Sequence, residues 1–138
     1  MKSVLLALAL LVVSATSVFA QHPCDTVTPT CGLSKKSPIT VGVCTDQKDV
    51  DGNPATLTSE KVFIDGVLTK TVANPAPSGA ANAAGLFYFP VSGVAVPRGA
   101  HAVTFTFVSV DGESDPSAAC NFSIVGGKPT KPVGARVE

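Results

Sequence analysis

The sequence has no tryptophan, one tyrosine and two histidines, and charged residues make up only 14% of its 138 positions. Sugar-binding platforms use exposed flat aromatic rings, so Tyr88 is the candidate for a carbohydrate contact. Ten basic residues balance ten acidic ones, so there is no basic field to hold nucleic acid or an anionic membrane. The composition therefore disfavours nucleic-acid binding and leaves little basis for a sugar platform.

Recognisable catalytic motifs are also missing. The chain has no Gly-x-Ser-x-Gly elbow, no glycine-rich phosphate loop and no His-Glu-x-x-His pair. A copper brace built from His22 and His101 would require cleavage after Gln21, a poor peptidase substrate. General acid–base catalysis needs paired groups held in a cleft, and neither histidine has a partner motif nearby. We predict a protein that is not an enzyme and has no cofactor, with calcium as the one ion left open.

The first twenty residues have the layout of a secretory signal peptide. Lys2 precedes an apolar run over 4–13, and small residues lead to a predicted cleavage site after Ala20. The run is shorter than the roughly 20 residues that a membrane-spanning helix needs, which disfavours an uncleaved anchor. We therefore predict a signal peptide over 1–20 and a secreted protein (periplasmic if bacterial) without membrane insertion. Cleavage removes one base, leaving nine bases against ten acids.

Four cysteines follow the predicted signal peptide. An even count in a small exported chain predicts two disulfides, with three possible pairings. Zinc is the alternative, but the spacings of 7, 13 and 76 residues contain no Cys-x-x-Cys knuckle. The cysteines therefore indicate an oxidising compartment and no metal site.

After the predicted signal peptide, the sequence pattern is typical of an all-β protein. Runs rich in Val, Ile, Phe and Thr alternate with Gly, Pro, Asn and Asp clusters, as in 39–44, 61–72, 85–94, 101–110 and 118–125. Asp65-Gly66 divides the 61–72 run into a hairpin, and a first strand is expected between Val27 and Leu33. Seven antiparallel strands in two packed sheets would form a β-sandwich over 21–125, with Phe63, Phe105, Phe107 and Phe122 in its core. Residues 126–138 begin with two glycines and are predicted to be a flexible tail.

Two segments, "KVFIDG" (61–66) and "GAHAVTFTFVSVDGESDPSAACNFSIV" (99–125), resemble a fibronectin type III or related immunoglobulin-like module. The resemblance covers about a third of the chain closely. Its topology implies that the 46–59 and 111–117 loops lie at one end of the sandwich. Six of the ten acids would meet there: Asp46, Asp49, Asp51, Asp111, Glu113 and Asp115. The opposite end would carry bases, among them Lys35, Lys36, Arg98, Lys128, Lys131 and Arg136.

The same topology implies the disulfide pairs Cys44–Cys120 and Cys24–Cys31. The alternation of the 118–125 run turns Asn121, in the sequon Asn-Phe-Ser, outward, where it would be a glycosylation site in a eukaryotic secretory pathway. The acidic end is the predicted binding surface, because loops at one end of such sandwiches often bind partners. Acids that only solvate exposed turns are the alternative for this surface.

These observations predict a secreted, non-catalytic module that mediates protein or cell-surface interaction. Its partner would be an extracellular or envelope protein or glycan. The alternative is a carbohydrate- or calcium-binding module of the same fold. "DVDGN" (49–53) spaces its oxygens as calcium loops do, but the closing Glu of an EF-hand is absent.

Overall fold

The structure, a computed structural model, describes residues 21–25, 31–126, 134, 136 and 137. These residues form eight strands and no helix: β1 (Ser34–Lys35), β2 (Ile39–Thr45), β3 (Leu57–Ile64), β4 (Val67–Ala73), β5 (Phe87–Val94), β6 (Gly99–Ser109), β7 (Gly112–Glu113) and β8 (Cys120–Ile124). The all-β prediction is confirmed, and no helix in this part of the chain could span a bilayer. The predicted signal peptide and most of the predicted tail lie outside the described residues.

The strands form two sheets. The larger has the order β1-β8-β6-β3-β4, with β7 paired to β6, and the smaller consists of β2 and β5. Every pair is antiparallel except β1 with β8, which is parallel. The prediction of seven antiparallel strands is therefore wrong in two respects. The two-residue strand β7 adds a member, and residues leading into β1 run beside β8 in the same direction.

Strands β3 and β4 form the predicted hairpin around Asp65-Gly66. Both residues have positive φ values, 52° for Asp65 and 78° for Gly66, which is the backbone shape that tight hairpin turns require. Asp and Gly reach this region at low cost, so the dipeptide specifies the turn. This turn also sets the register between β3 and β4, in which Ile64 lies opposite Val67.

The core lies between the two sheets and follows the alternation of each strand. It is built mainly from valine, isoleucine and phenylalanine: Ile39, Val41, Val62, Ile64, Val91, Val94, Val96, Val103, Phe105, Phe122 and Ile124. Phe89 is fully buried and meets Phe107 edge to face, with ring centroids 5.2 Å apart. Phe63 was predicted in this core, but it lies between the buried Val62 and Ile64 and is half-exposed on the outer face. The alternation of β3 places its even-numbered residues inward.

The strand directions divide the connections between two ends. Leu57 pairs with Ser109 and Thr45 with Phe87, so the connections over 46–56, 74–86 and 110–119 share one end, called here the loop end. Ile64 pairs with Val67 and Gly99 with Ile124, so the Asp65-Gly66 turn and the 95–98 connection share the other, called the turn end. The predicted common end for the two acidic loops therefore matches the strand register.

The disulfide pairing predicted above is wrong. The structure joins Cys24 to Cys44 and Cys31 to Cys120. Cys44 is exposed on β2 near the loop end, whereas Cys120 packs against the core and pairs with Val103, level with Ile64 beside the turn end. Residues before β1 run along β8, as shown by the bond from Ser123 N to the Leu33 carbonyl (3.0 Å), and this places Cys31 beside Cys120. The two disulfides indicate an oxidising environment.

Candidate functional site

The loop end carries all six predicted acids, but they do not act as one group. Asp46, Asp49 and Asp51 lie on the 46–56 connection, and Asp111, Glu113 and Asp115 follow β6. Within the described residues, no three His, Cys, Asp or Glu side chains come close enough to hold a metal ion.

Asp49 organises its own loop. Its Oδ1 accepts hydrogen bonds from the backbone N–H groups of Asp51 (2.9 Å) and Asn53 (2.8 Å). The backbone bond from Asn53 is the main reason that the pKa of Asp49 lies below its usual value. Gly52 takes a positive φ of 84° in the same turn. The side chain therefore stabilises a fixed turn that presents Val50 at its tip.

Glu113 is directed onto the outer face of the large sheet. Its Oε2 accepts a bond from Lys61 Nζ (2.7 Å) and its Oε1 from Thr106 Oγ1 (2.5 Å). The Lys61 bond, followed by the Thr106 bond, lowers the pKa of Glu113. This network holds β7 against β6 and explains why Thr106 is buried on an outer face. Glu113 is therefore a structural residue of the 110–119 connection.

The tips of the two acidic loops expose large apolar side chains that the sequence predictions missed. Val50 lies between two aspartates and is fully exposed, and Val110 precedes Asp111 and is 84% exposed. The side chains of Asp51, Asp111 and Asp115 have no hydrogen-bond or ion-pair partner among the described residues. The loop end thus presents two valines beside unpaired carboxylates. The available sequence signal was that each valine directly precedes an aspartate in a polar loop segment.

The two histidines lie near opposite ends. His22 Nε2 is 3.0 Å from the Ala80 carbonyl on a loop-end connection. His101 lies at the turn end, where Nδ1 is 2.6 Å from Asp65 Oδ2 and Nε2 is 2.9 Å from the Pro97 carbonyl. Both partners are acceptors, so both ring nitrogens can donate only as an imidazolium. The hydrogen bond between the two side chains is the main reason that the pKa of His101 is raised and the pKa of Asp65 is lowered.

Glu60 is a buried acid that the sequence predictions missed. It lies on the inner face of β3, opposite Val72 on β4 and Phe107 on β6, and is only 1% exposed. Its Oε1 has no hydrogen-bond partner in the described chain. Burial raises the pKa of Glu60 to about 7 from an ordinary 4.5. The even-numbered alternation Glu60, Val62, Ile64 was the signal that placed it inward.

Tyr88 is half-buried and lies on the outer face of the small sheet. Its ring covers Gly42 so closely that a Cβ at position 42 would collide with it. The ring therefore fills the space of a missing side chain, which reduces the surface it offers to a sugar. Asn121 is exposed on the outer face of β8, as predicted, and its glycosylation stays a prediction.

No family model, curated protein or solved structure matches this chain.

Proposed function

We propose that the chain is a secreted, non-catalytic β-sandwich module of immunoglobulin or fibronectin type III type that binds another protein through its loop end. The strand order supports the fold assignment. In immunoglobulin sandwiches strands C, F and G share one sheet and strands B and E the other. Strands β3, β6 and β8 occupy the first set of positions, and β2 and β5 the second. Two disulfides support the secreted location.

The observation that carries the binding proposal is the pair of valines at the loop tips. Burying a valine stabilises a complex by about 1.5 kcal/mol or more, so leaving both Val50 and Val110 exposed forgoes that stabilisation in the free protein. The carboxylates of Asp51 and Asp111 beside them favour a partner with lysine or arginine around apolar pockets. The partner class that fits is an extracellular or envelope protein with a basic surface.

The experiment measures saturable binding of the labelled protein to cells of the producing organism at low and high salt. A Val50→Ser/Val110→Ser variant should bind at least tenfold more weakly, because both apolar contacts are removed. The matched control is Val67→Ser/Leu68→Ser, which changes two exposed apolar residues (67% and 50%) on β4 near the turn end. We expect this control to bind like the wild type.

Pretreatment of the cells distinguishes a protein partner from a glycan. Loss of binding after protease treatment is the expected result, together with weaker binding at high salt. Binding that survives protease and is lost after glycosidase treatment would instead favour the carbohydrate-binding alternative. Absence of saturable binding, or equal losses in the two double variants, would refute the loop-end proposal.

A further inference from the structure

One edge of strand β2 has backbone groups that pair with no other described residue. In an antiparallel ladder, alternate residues direct their N–H and C=O groups away from the neighbouring strand. Gly42 lies opposite Pro90, which has no N–H, and Cys44 lies opposite Tyr88, whose carbonyl accepts a bond from Ser78 outside the β2–β5 pair. The backbone N–H and C=O groups of Gly42 and Cys44 therefore point away from β5, toward the free side of β2. Within the described part of the chain these groups have no partner.

An apolar groove of about 750 Å³ follows this edge. Side chains of both sheets line it, including Val41, Val103, Phe105 and Phe122. Residues 21–24, Leu33 and Lys35 also line it. The disulfides Cys24–Cys44 and Cys31–Cys120 tie the chain near these residues to the sheets. Among the described residues, the groove is therefore a fixed feature of the fold that lies beside backbone donors and acceptors without partners.

The sequence of β2 lacks the usual protection of an edge strand. Natural edges carry charges, prolines or very short strands that prevent pairing with other chains. Strand β4 carries Lys70, and β1 has two residues and includes Lys35. By contrast, the seven residues of β2, "ITVGVCT", contain no charge and no proline, and three are β-branched aliphatics. Such an edge is suited to accept an added strand.

The groove also has a defined charge. Lys35 is the only Lys, Arg, Asp or Glu side chain among its described lining residues. It has no carboxylate partner in the described chain. An occupant that carries one acidic group beside an apolar strand would match this lysine, whereas a basic one would be repelled.

We propose that the β2 edge binds an extended peptide segment of a partner protein by strand addition. Backbone groups of the peptide pair with Gly42 and Cys44, alternate apolar side chains enter the groove, and an acidic side chain meets Lys35. This surface is separate from the loop tips. The Val50→Ser/Val110→Ser variant should therefore leave peptide binding unchanged, so the two proposals can fail independently.

The test selects binders to the full secreted chain from a phage-displayed library of random twelve-residue peptides. Enriched peptides should show apolar residues at every second position, at least one acid and no central proline. Their dissociation constants are measured by fluorescence anisotropy, and contacts are mapped by NMR shifts of the Gly42 and Cys44 amides. Leu33→Ser and Lys35→Glu should each weaken binding tenfold or more.

Two matched controls are available on neighbouring surfaces. Val125 is 44% exposed, as Leu33 is, but does not line the groove, and Lys36 follows Lys35 without lining it. Val125→Ser and Lys36→Glu should bind within twofold of the wild type. Circular dichroism and non-reducing peptide maps verify that every variant is folded.

Three results would overturn the proposal. The library could yield no peptide that shifts the Gly42 and Cys44 amides. The selected peptides could bind the groove variants and the control variants equally. Dodecanoate could shift the groove residues when no peptide does, which would assign the groove to apolar amphiphiles.

Discussion

Replacing Glu60 with glutamine tests whether the core of this protein holds a neutral carboxyl group. Glu60 is 1% exposed on the inner face of β3, and its Oε1 has no partner among the described residues. Lys70, the charged residue on the inner side of the neighbouring β4, donates to the Ser92 carbonyl instead. The charged carboxylate is thus left without compensation, and burial raises the pKa of Glu60 from 4.5 to about 7.

The magnitude follows from the difference between the two pKa values. About 2.5 pKa units at about 1.4 kcal/mol each give about 3.5 kcal/mol. The sign follows from proton binding. Between pH 4.5 and about 7 the folded state holds the Glu60 proton and the unfolded state has lost it, so the free energy of unfolding falls as pH rises. This contribution is complete below pH 4.5, and the decline ends above about pH 7.

The assay is urea unfolding from pH 4 to 9, comparing the wild type with Glu60→Gln. The free energy of unfolding of the wild type, relative to the variant, should decrease by about 3.5 kcal/mol across this range. Subtracting the two curves removes other titrating groups, including His101. Glu113→Gln is the control, because the pKa of Glu113 is lowered and its contribution runs in the opposite direction. Parallel curves for the wild type and Glu60→Gln would refute the claim that the buried carboxyl is neutral in the fold.

Two further predictions concern the turn end and the disulfides. Asp65→Asn removes the main group that raises the pKa of His101, so NMR titration should show this pKa falling toward 6.5. The decrease in the free energy of unfolding relative to the wild type should be largest between about pH 4 and 6.5, where Asp65 is charged and His101 is protonated. An unchanged His101 pKa would contradict the pairing. Loss of Cys31–Cys120, which spans 89 residues, should cost about 4.5 kcal/mol, against about 3 kcal/mol for Cys24–Cys44, which spans 20. Urea unfolding of the paired serine variants measures both, and equal losses would contradict the chain-entropy account.

Much of the fold could be predicted from alternation and turn residues. The runs that became β2, β5, β6 and β8 were identified because Val, Ile and Phe recur at every second position. The Asp65-Gly66 turn was specified by the one dipeptide in that run which tolerates positive φ. The same alternation, applied to β3, would have placed Glu60 inward and Phe63 outward. Phe63 was wrongly assigned to the core because phenylalanine is usually buried, and the face of β3 on which position 63 lies was not considered.

The disulfide pairing could not be predicted in the same way. The resemblance implied that Cys44 and Cys120 share the loop end, but Cys120 pairs with Val103, which lies opposite Ile64 beside the turn end. Pairing also depends on which face each side chain occupies and on which segment runs beside it. The parallel course of β1 along β8 decides this, and a two-residue strand leaves almost no periodic signal in a sequence.

The candidate functional features lie where local sequence rules are broken. A glutamate occupies a core position, an internal strand sequence lies at an edge, and valines replace polar residues at loop tips. Each departure lowers the stability or solubility of the isolated domain, and proteins tolerate such departures mainly where function requires them. The two disulfides offset part of the loss by constraining the unfolded chain. Because Cys44 lies in β2 and Cys120 begins β8, the same bonds also fix the two strands that border the groove. Stability and the proposed strand-accepting edge thus depend on the same covalent links.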